Sequence, residues 1–162
     1  MYLDLRGILD NPGGEVSFDY EPDLADVISG SIVDLKTTPG AVGKVINRAG
    51  IIELTATVDA VCECICARCL TEFEYPLHMQ ITAHLTEDTE EESGTDSYII
   101  QNDGIDLNEV IISEMLLNID ERILCYDDCA GLCQKCGFNL NEGTCDCKNE
   151  IDPRLAKLKD LL

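Results

Sequence analysis

The residues with chemistry to offer are ten cysteines in a chain of 162, and their spacing sorts them. The last six read Cys125-x3-Cys129-x3-Cys133-x2-Cys136-Gly137 and then, eight residues on, Cys145-x-Cys147. A Cys-x-x-Cys-Gly run sets two thiolates one tight turn apart, with Gly free to take the left-handed backbone that follows, which is the pattern of a zinc knuckle. A second pair must close the tetrahedron. Cys145/Cys147 and Cys125/Cys129 both suit by spacing, so the expected ligands of one zinc come from Cys125, Cys129, Cys133, Cys136, Cys145 and Cys147. A tail this short and polar needs a staple to fold, and structural zinc supplies one.

Cys66-Ala-Arg-Cys69 is a second Cys-x-x-Cys. A thioredoxin-type redox pair needs its first thiol at a helix N-terminus, where the dipole favours thiolate. Here the pair sits between two strand patterns, so it reads either as a second thiol pair beside a metal or as two thiols packed at a hairpin end. Cys62 and Cys64 alternate into the same face and read as small buried hydrophobes. His78 and His84 fall on the polar face of their strand with no nucleophile motif nearby. No glycine loop fits a phosphate, and Glu90-Glu91-Glu92 reads as solvated charge. The expectation is a protein that is not an enzyme and takes no small-molecule substrate. A zinc–thiolate redox switch, or a chaperone-like protein built on one, is the alternative.

Charge narrows the partners. Lys+Arg is 11 and Asp+Glu is 32, a net charge of −21, which repels nucleic-acid backbone and anionic membrane at long range. No apolar run approaches the roughly 18 to 20 residues that span a bilayer, and the opening residues lack a basic segment followed by an apolar run. The expected compartment is the cytoplasm, whose reducing conditions favour metal over disulfides. The charge is concentrated: residues 86–124 hold 12 acidic and 1 basic side chains, whereas residues 125–162 hold 7 and 5.

The elements that carry the cysteines follow from period. Val16, Phe18 and Tyr20 alternate with polar residues as a short strand, and residues 31–36 and 41–47 flank the Thr37–Gly40 turn. Leu54 through Cys66 and Phe73 through Leu85 alternate over two long runs. An antiparallel hairpin turning at Ala67-Arg68 would set Cys62 opposite Phe73 and Leu54 opposite Ile81, keeping every apolar residue on one face. A short strand at Tyr98–Ile100 and a turn at Asn102-Asp-Gly104 follow. Asp106 and Glu109 open a helix over about 107–120 in the manner of a capping box, with Leu107, Val110, Ile111, Met115, Leu116 and Ile119 on its stripe. Asp152-Pro153 opens a last short helix. The fold expected is α+β: an antiparallel sheet or partly closed barrel with one main helix over residues 1–122, then a cysteine-rich zinc-binding tail over 123–162 ending in a short helix.

The order of these pieces resembles a known family. Cys66-Ala-Arg-Cys69-Leu70 after a strand, an acidic gap, Ile105-Asp-Leu opening a helix, Asp128-Cys-Ala-Gly-Leu-Cys-Gln-Lys-Cys-Gly-Phe-Asn-Leu-Asn141, Cys145-Asp-Cys147 and Asp152-Pro-Arg-Leu155 are similar to the YceD family. Those proteins are associated with accumulation of large-subunit ribosomal RNA. The resemblance runs from about Leu54 to Leu162 and implies a role in ribosome assembly, with large-subunit RNA or its precursor particle as partner, directly or through a ribosomal protein. So acidic a chain can offer RNA only a local patch, and the candidates are Arg68, Lys135, Arg154 and Lys157.

Overall fold

Period-two alternation builds the middle of the molecule. In chain order the elements are β1 (Tyr2–Asp4), α1 (Arg6–Leu9), β2 (Glu15–Tyr20), a 3-10 turn (Ala25–Val27), β3 (Ile32–Leu35), β4 (Gly40–Arg48), β5 (Ile51–Ile65), β6 (Glu72–Thr86), β7 (Ser97–Ile99), β8 (Gly104–Asp106) and α2 (Leu107–Asn118). The computed structural model describes residues 1–87, 97–120 and 122–147. The acidic run at 90–92 and the terminal helix expected from Asp152 lie outside the described residues.

The main sheet has the order β2-β4-β5-β6-β7, and it stays open. The partly closed barrel is therefore replaced by an open sheet. Nor is that sheet wholly antiparallel: β7 lies parallel to β6, with Ser97 beside His84. One edge of β5 is shared by two strands. β4 covers Ile51 to Asp59, and β3 covers Cys62 to Cys64, so on this edge it is β3 that holds the cysteine-bearing end of β5. A separate ladder pairs β1 with β8.

The β5–β6 hairpin keeps the expected parity but shifts by two residues: Cys62 faces Tyr75, Cys64 faces Phe73 and Leu54 faces Ala83. The cause is the turn. Cys66 N–H donates to Thr71 O at 2.9 Å, and Leu70 N–H returns to Cys66 O at 3.0 Å, so a wider loop replaces the tight one at Ala67-Arg68. An even shift leaves every inward side chain inward.

The buried face of the hairpin carries Leu54, Val58, Cys62, Cys64, Leu77, Ile81 and Leu85, and α2 covers it with Leu107, Val110, Ile111 and Met115. Asp106 caps that helix by accepting from the Asn108 amide at 3.0 Å. Leu116, expected on the same stripe, is 47% exposed because it lies about 100° round the helix from Met115. The buried polar Asn47 is fully used. Its amide donates to Ile8 O and Leu9 O, both at 2.8 Å, and its carbonyl accepts from Gly50, tying α1 to the β4–β5 turn. Among the described residues, no helix is long and apolar enough to cross a membrane.

Candidate metal centres

Eight of the ten cysteines meet in two groups of four, and within each group all sulfurs lie within 4.8 Å of one another. The first group joins Cys66 and Cys69, at the tip of the β5–β6 hairpin, to Cys125 and Cys129 from beyond α2. The second joins Cys133 and Cys136 to Cys145 and Cys147. The six cysteines from which the ligands of one site were expected are thus divided between two groups. Cys125/Cys129 go to the hairpin tip, and Cys145/Cys147 close the group on Cys133/Cys136. Cys62 and Cys64 lie in the hydrophobic core, outside both groups.

The first group forms because the chain returns to the hairpin tip after α2. Ala67 N–H donates to Ile123 O at 3.0 Å, Arg68 Nη1 donates to Cys129 O at 3.1 Å, and Leu132 N–H donates to Arg68 O at 3.2 Å. Gly131 makes that approach feasible. Its φ is +74°, and a Cβ there would meet Arg68 O at 3.2 Å.

Each group contains one knuckle, and the two knuckles match bond for bond. Leu70 N–H to Cys66 O (3.0 Å) corresponds to Gly137 N–H to Cys133 O (2.8 Å). Leu70 and Gly137 both take left-handed backbone, at φ +59° and +73°. The glycine usual at this position is therefore replaced by leucine in the first knuckle, against a steric cost of about 1–2 kcal/mol.

Sulfur spacing tests the fit to a metal. A tetrahedral ion with bonds of about 2.3 Å to thiolate sulfur has sulfur–sulfur edges of roughly 3.8 Å. Cys66 Sγ lies 3.8 Å from Cys129 Sγ, and Cys69 Sγ lies 3.6 Å from Cys125 Sγ. A disulfide needs about 2.05 Å, and all ten cysteines are free. Both four-thiol groups could hold a metal ion.

Electrostatics points the same way. Burial pushes the Cys66 thiol up, but N–H donors of Cys69, Cys125 and Arg68 outweigh it and bring it down to about 6. The N–H groups of Cys136 and Lys135, with the Cys145 and Cys136 side chains, bring Cys133 down to about 6. The last thiols resist. Burial and then hydrogen bonds with Cys66, Cys69 and Cys129 push Cys125 up to about 12. A hydrogen bond with Cys136, together with burial, pushes Cys147 up to about 12. Close sulfurs and local N–H donors thus set the thiols of a group apart: Cys66, Cys69 and Cys133 are brought down, whereas Cys125, Cys145 and Cys147 are pushed up. A divalent ion held there would displace the protons that remain and complete the set.

Arg68 and Lys135, singled out as possible contacts to RNA, occupy the same position in the two knuckles, immediately before the second cysteine. Arg154 and Lys157 lie outside the described residues. What spacing could not supply was the pairing of Cys66/Cys69 with Cys125/Cys129, nor the part of Asn141, whose amide donates to Cys129 Sγ at 3.3 Å.

A model of the family described as large ribosomal RNA subunit accumulation protein YceD matches residues 54–162, from near the start of β5 through both thiol groups. The chain belongs to the YceD family. An uncharacterized protein of Mycobacterium tuberculosis is 30% identical over 146 residues, covering 86% of this chain and 67% of its own length. The uncharacterized protein YlbN of Bacillus subtilis is 32% identical over 108 residues, or 60% of this chain and 58% of YlbN. An uncharacterized protein of Mycobacterium leprae is 34% identical over 117 residues, and the chain spans about half of it (51%). No solved structure gives a significant match.

Proposed function

We propose that this chain is a non-catalytic cytoplasmic factor that supports accumulation of large-subunit ribosomal RNA, with zinc in its thiol groups serving structure. The observation that carries this reading is the family match over 54–162, which includes all eight clustered cysteines. Four thiolates at tetrahedral spacing with no place for a water ligand suit structural zinc. The residues that would hold it are Cys66, Cys69, Cys125 and Cys129 in one group and Cys133, Cys136, Cys145 and Cys147 in the other.

The partner is the large-subunit precursor, met through RNA or through one of its basic proteins. Four cations of the β-rich body pair with carboxylates: Lys36 with Glu63, Lys44 with Glu15, Arg48 with Glu53 and Arg6 with Asp4. The side chains proposed to meet phosphate are Arg68, beside Cys69, and Lys135, Arg154 and Lys157 of residues 125–162, the stretch of sequence nearest charge balance. Pull-down of the tagged full chain from growing cells tests the reading. Large-subunit precursor particles are expected; recovery of unfolded clients without particles overturns it. Arg154→Glu with Lys157→Glu should weaken particle binding, and the log–log salt slope should be only about −1 to −3.

One observation favours the redox switch as a second reading: the second group is open to solvent, with Cys136 exposed. Zinc released by peroxide and recovered on reduction, with client binding only in between, would select it.

A further inference from the structure

Asn141 belongs to one thiol group by sequence and touches the other in space. It sits between Cys136 and Cys145, inside the loop that the second group closes. Its carbonyl oxygen accepts from Ala130 N–H at 2.7 Å, which fixes which way the amide faces. The amide nitrogen is thereby turned toward Cys129 Sγ, 3.3 Å away, and it also reaches Asn139 Oδ1 at 2.8 Å. Cys129 is 3% exposed, so the sulfur end of this N–H···S bond is shielded from water.

Two further links run in parallel. Leu140 N–H donates to Gly131 O at 2.9 Å, and Leu132 N–H donates to Arg68 O at 3.2 Å. The loop between the two halves of the second group thus lies directly on the sulfur and backbone of the first. An N–H donor favours a charged thiolate over a neutral thiol. It does so only while the loop that carries it is held, and that loop is held when its flanking cysteines share one ion.

We propose that the two thiol groups bind metal cooperatively, and that Asn141 is the positioning residue that couples them. The proposal rests on the reading that metal occupies both groups. Filling the second group orders residues 136–145, places the Asn141 amide on Cys129 and strengthens the first; by linkage, filling the first strengthens the second by the same factor. No electron or covalent bond changes hands. The ligand in each case is a divalent thiophilic ion.

The test uses the full-length chain and cobalt(II), whose visible bands report tetrahedral thiolate coordination, in competition with a chelator of known affinity. Three proteins give the coupling: the native chain, Cys145→Ser with Cys147→Ser, and Cys66→Ser with Cys69→Ser. If the groups are coupled, the native product of two binding constants exceeds the product of the single-group constants by about tenfold. Asn141→Ala in the native background should remove most of that excess while still binding two ions. A second readout needs no cysteine variant. Chelator should strip both ions from the native chain in one phase, and from Asn141→Ala in two, the exposed group first. Two ions bound with no excess, and two phases already in the native chain, overturn the coupling and leave the metal reading standing. No cobalt bound in either group overturns both.

Discussion

Around Cys66, Cys69, Cys125 and Cys129 the sulfurs are buried or half-buried, and Cys69 and Cys125 are 56 residues apart in the chain. Around Cys133, Cys136, Cys145 and Cys147 they are half-buried or exposed, and all four come from one stretch of the sequence. The ligand chemistry and the knuckle are the same. What differs is the length of chain that each group closes. By the logarithmic law for loops, closing a separation of 56 positions rather than the nine from Cys136 to Cys145 removes roughly 1.6 kcal/mol more entropy from the unfolded chain. The first group therefore fastens the chain beyond α2 to the sheet, whereas the second orders its own loop and reaches the sheet only through the first. Identical donor sets take different mechanical roles because of what they join.

The largest effect expected from this contrast is on stability. Cys66→Ser with Cys129→Ser should lower the unfolding free energy by about 3 kcal/mol or more and strip protection from the amides of 123–132. Cys145→Ser with Cys147→Ser should cost hydrogen-exchange protection in β5 and β6 far less, by no more than the coupling to the first group. Equal losses from the two variants would erase the distinction between fastening and local order.

Acid should treat the groups alike. The lowest thiol of each, Cys66 and Cys133, lies at about 6. Metal affinity already falls with pH above that value, because Cys125 and Cys147, pushed up to about 12, must give up protons to bind; below it the first thiol too must surrender one, and the fall steepens. Each further unit then costs an additional factor of about ten. Metal retention followed by competition against pH should bend at one place for both groups. Separate bends would mean that burial, rather than the shared knuckle amides, sets the first ionisation.

Reactivity should separate the groups again, more modestly. After chelation, alkylation followed by mass mapping should label Cys136 first, with Cys66 and Cys69 slower by about tenfold, since their access waits on local opening. Faster labelling at Cys66 would place the opening at the hairpin tip. The smallest effect concerns the knuckles themselves. Leu70→Gly should stabilise by about 0.5–1 kcal/mol by relieving left-handed strain net of glycine's entropy, and Gly137→Ala should destabilise by a similar amount. Thermal denaturation of the metal-loaded chain checks both. A loss from Leu70→Gly would show that the leucine side chain contributes packing beyond what the backbone explains.

Much of the framework was legible because it is local. Leu54, Ala56, Val58, Ala60, Cys62 and Cys64 announce a one-sided strand by alternation alone, and all six are buried. Asp106 announces the start of α2 by its capping chemistry. The hairpin's parity followed from the same alternation, but its register did not, because six residues from Cys66 to Thr71 are folded as a knuckle rather than a tight turn. The open edges of the sheet were also illegible, since β3 and β4 share β5 by position rather than by pattern.

The sequence by itself determined where the thiols are, that Cys133 and Cys136 form a knuckle, and that a long two-stranded ribbon carries another Cys-x-x-Cys at its end. Those are consequences of spacing and period within a few turns of chain. Only the tertiary structure decided which thiols share a centre. Cys125/Cys129 and Cys145/Cys147 were equal candidates by spacing, and the choice depends on the return of Ile123 to Ala67, on Gly131 closing against Arg68, and on Asn141 reaching Cys129. Each is a contact between segments distant in sequence, made by backbone geometry and one amide side chain, and no local pattern encodes a meeting of that kind.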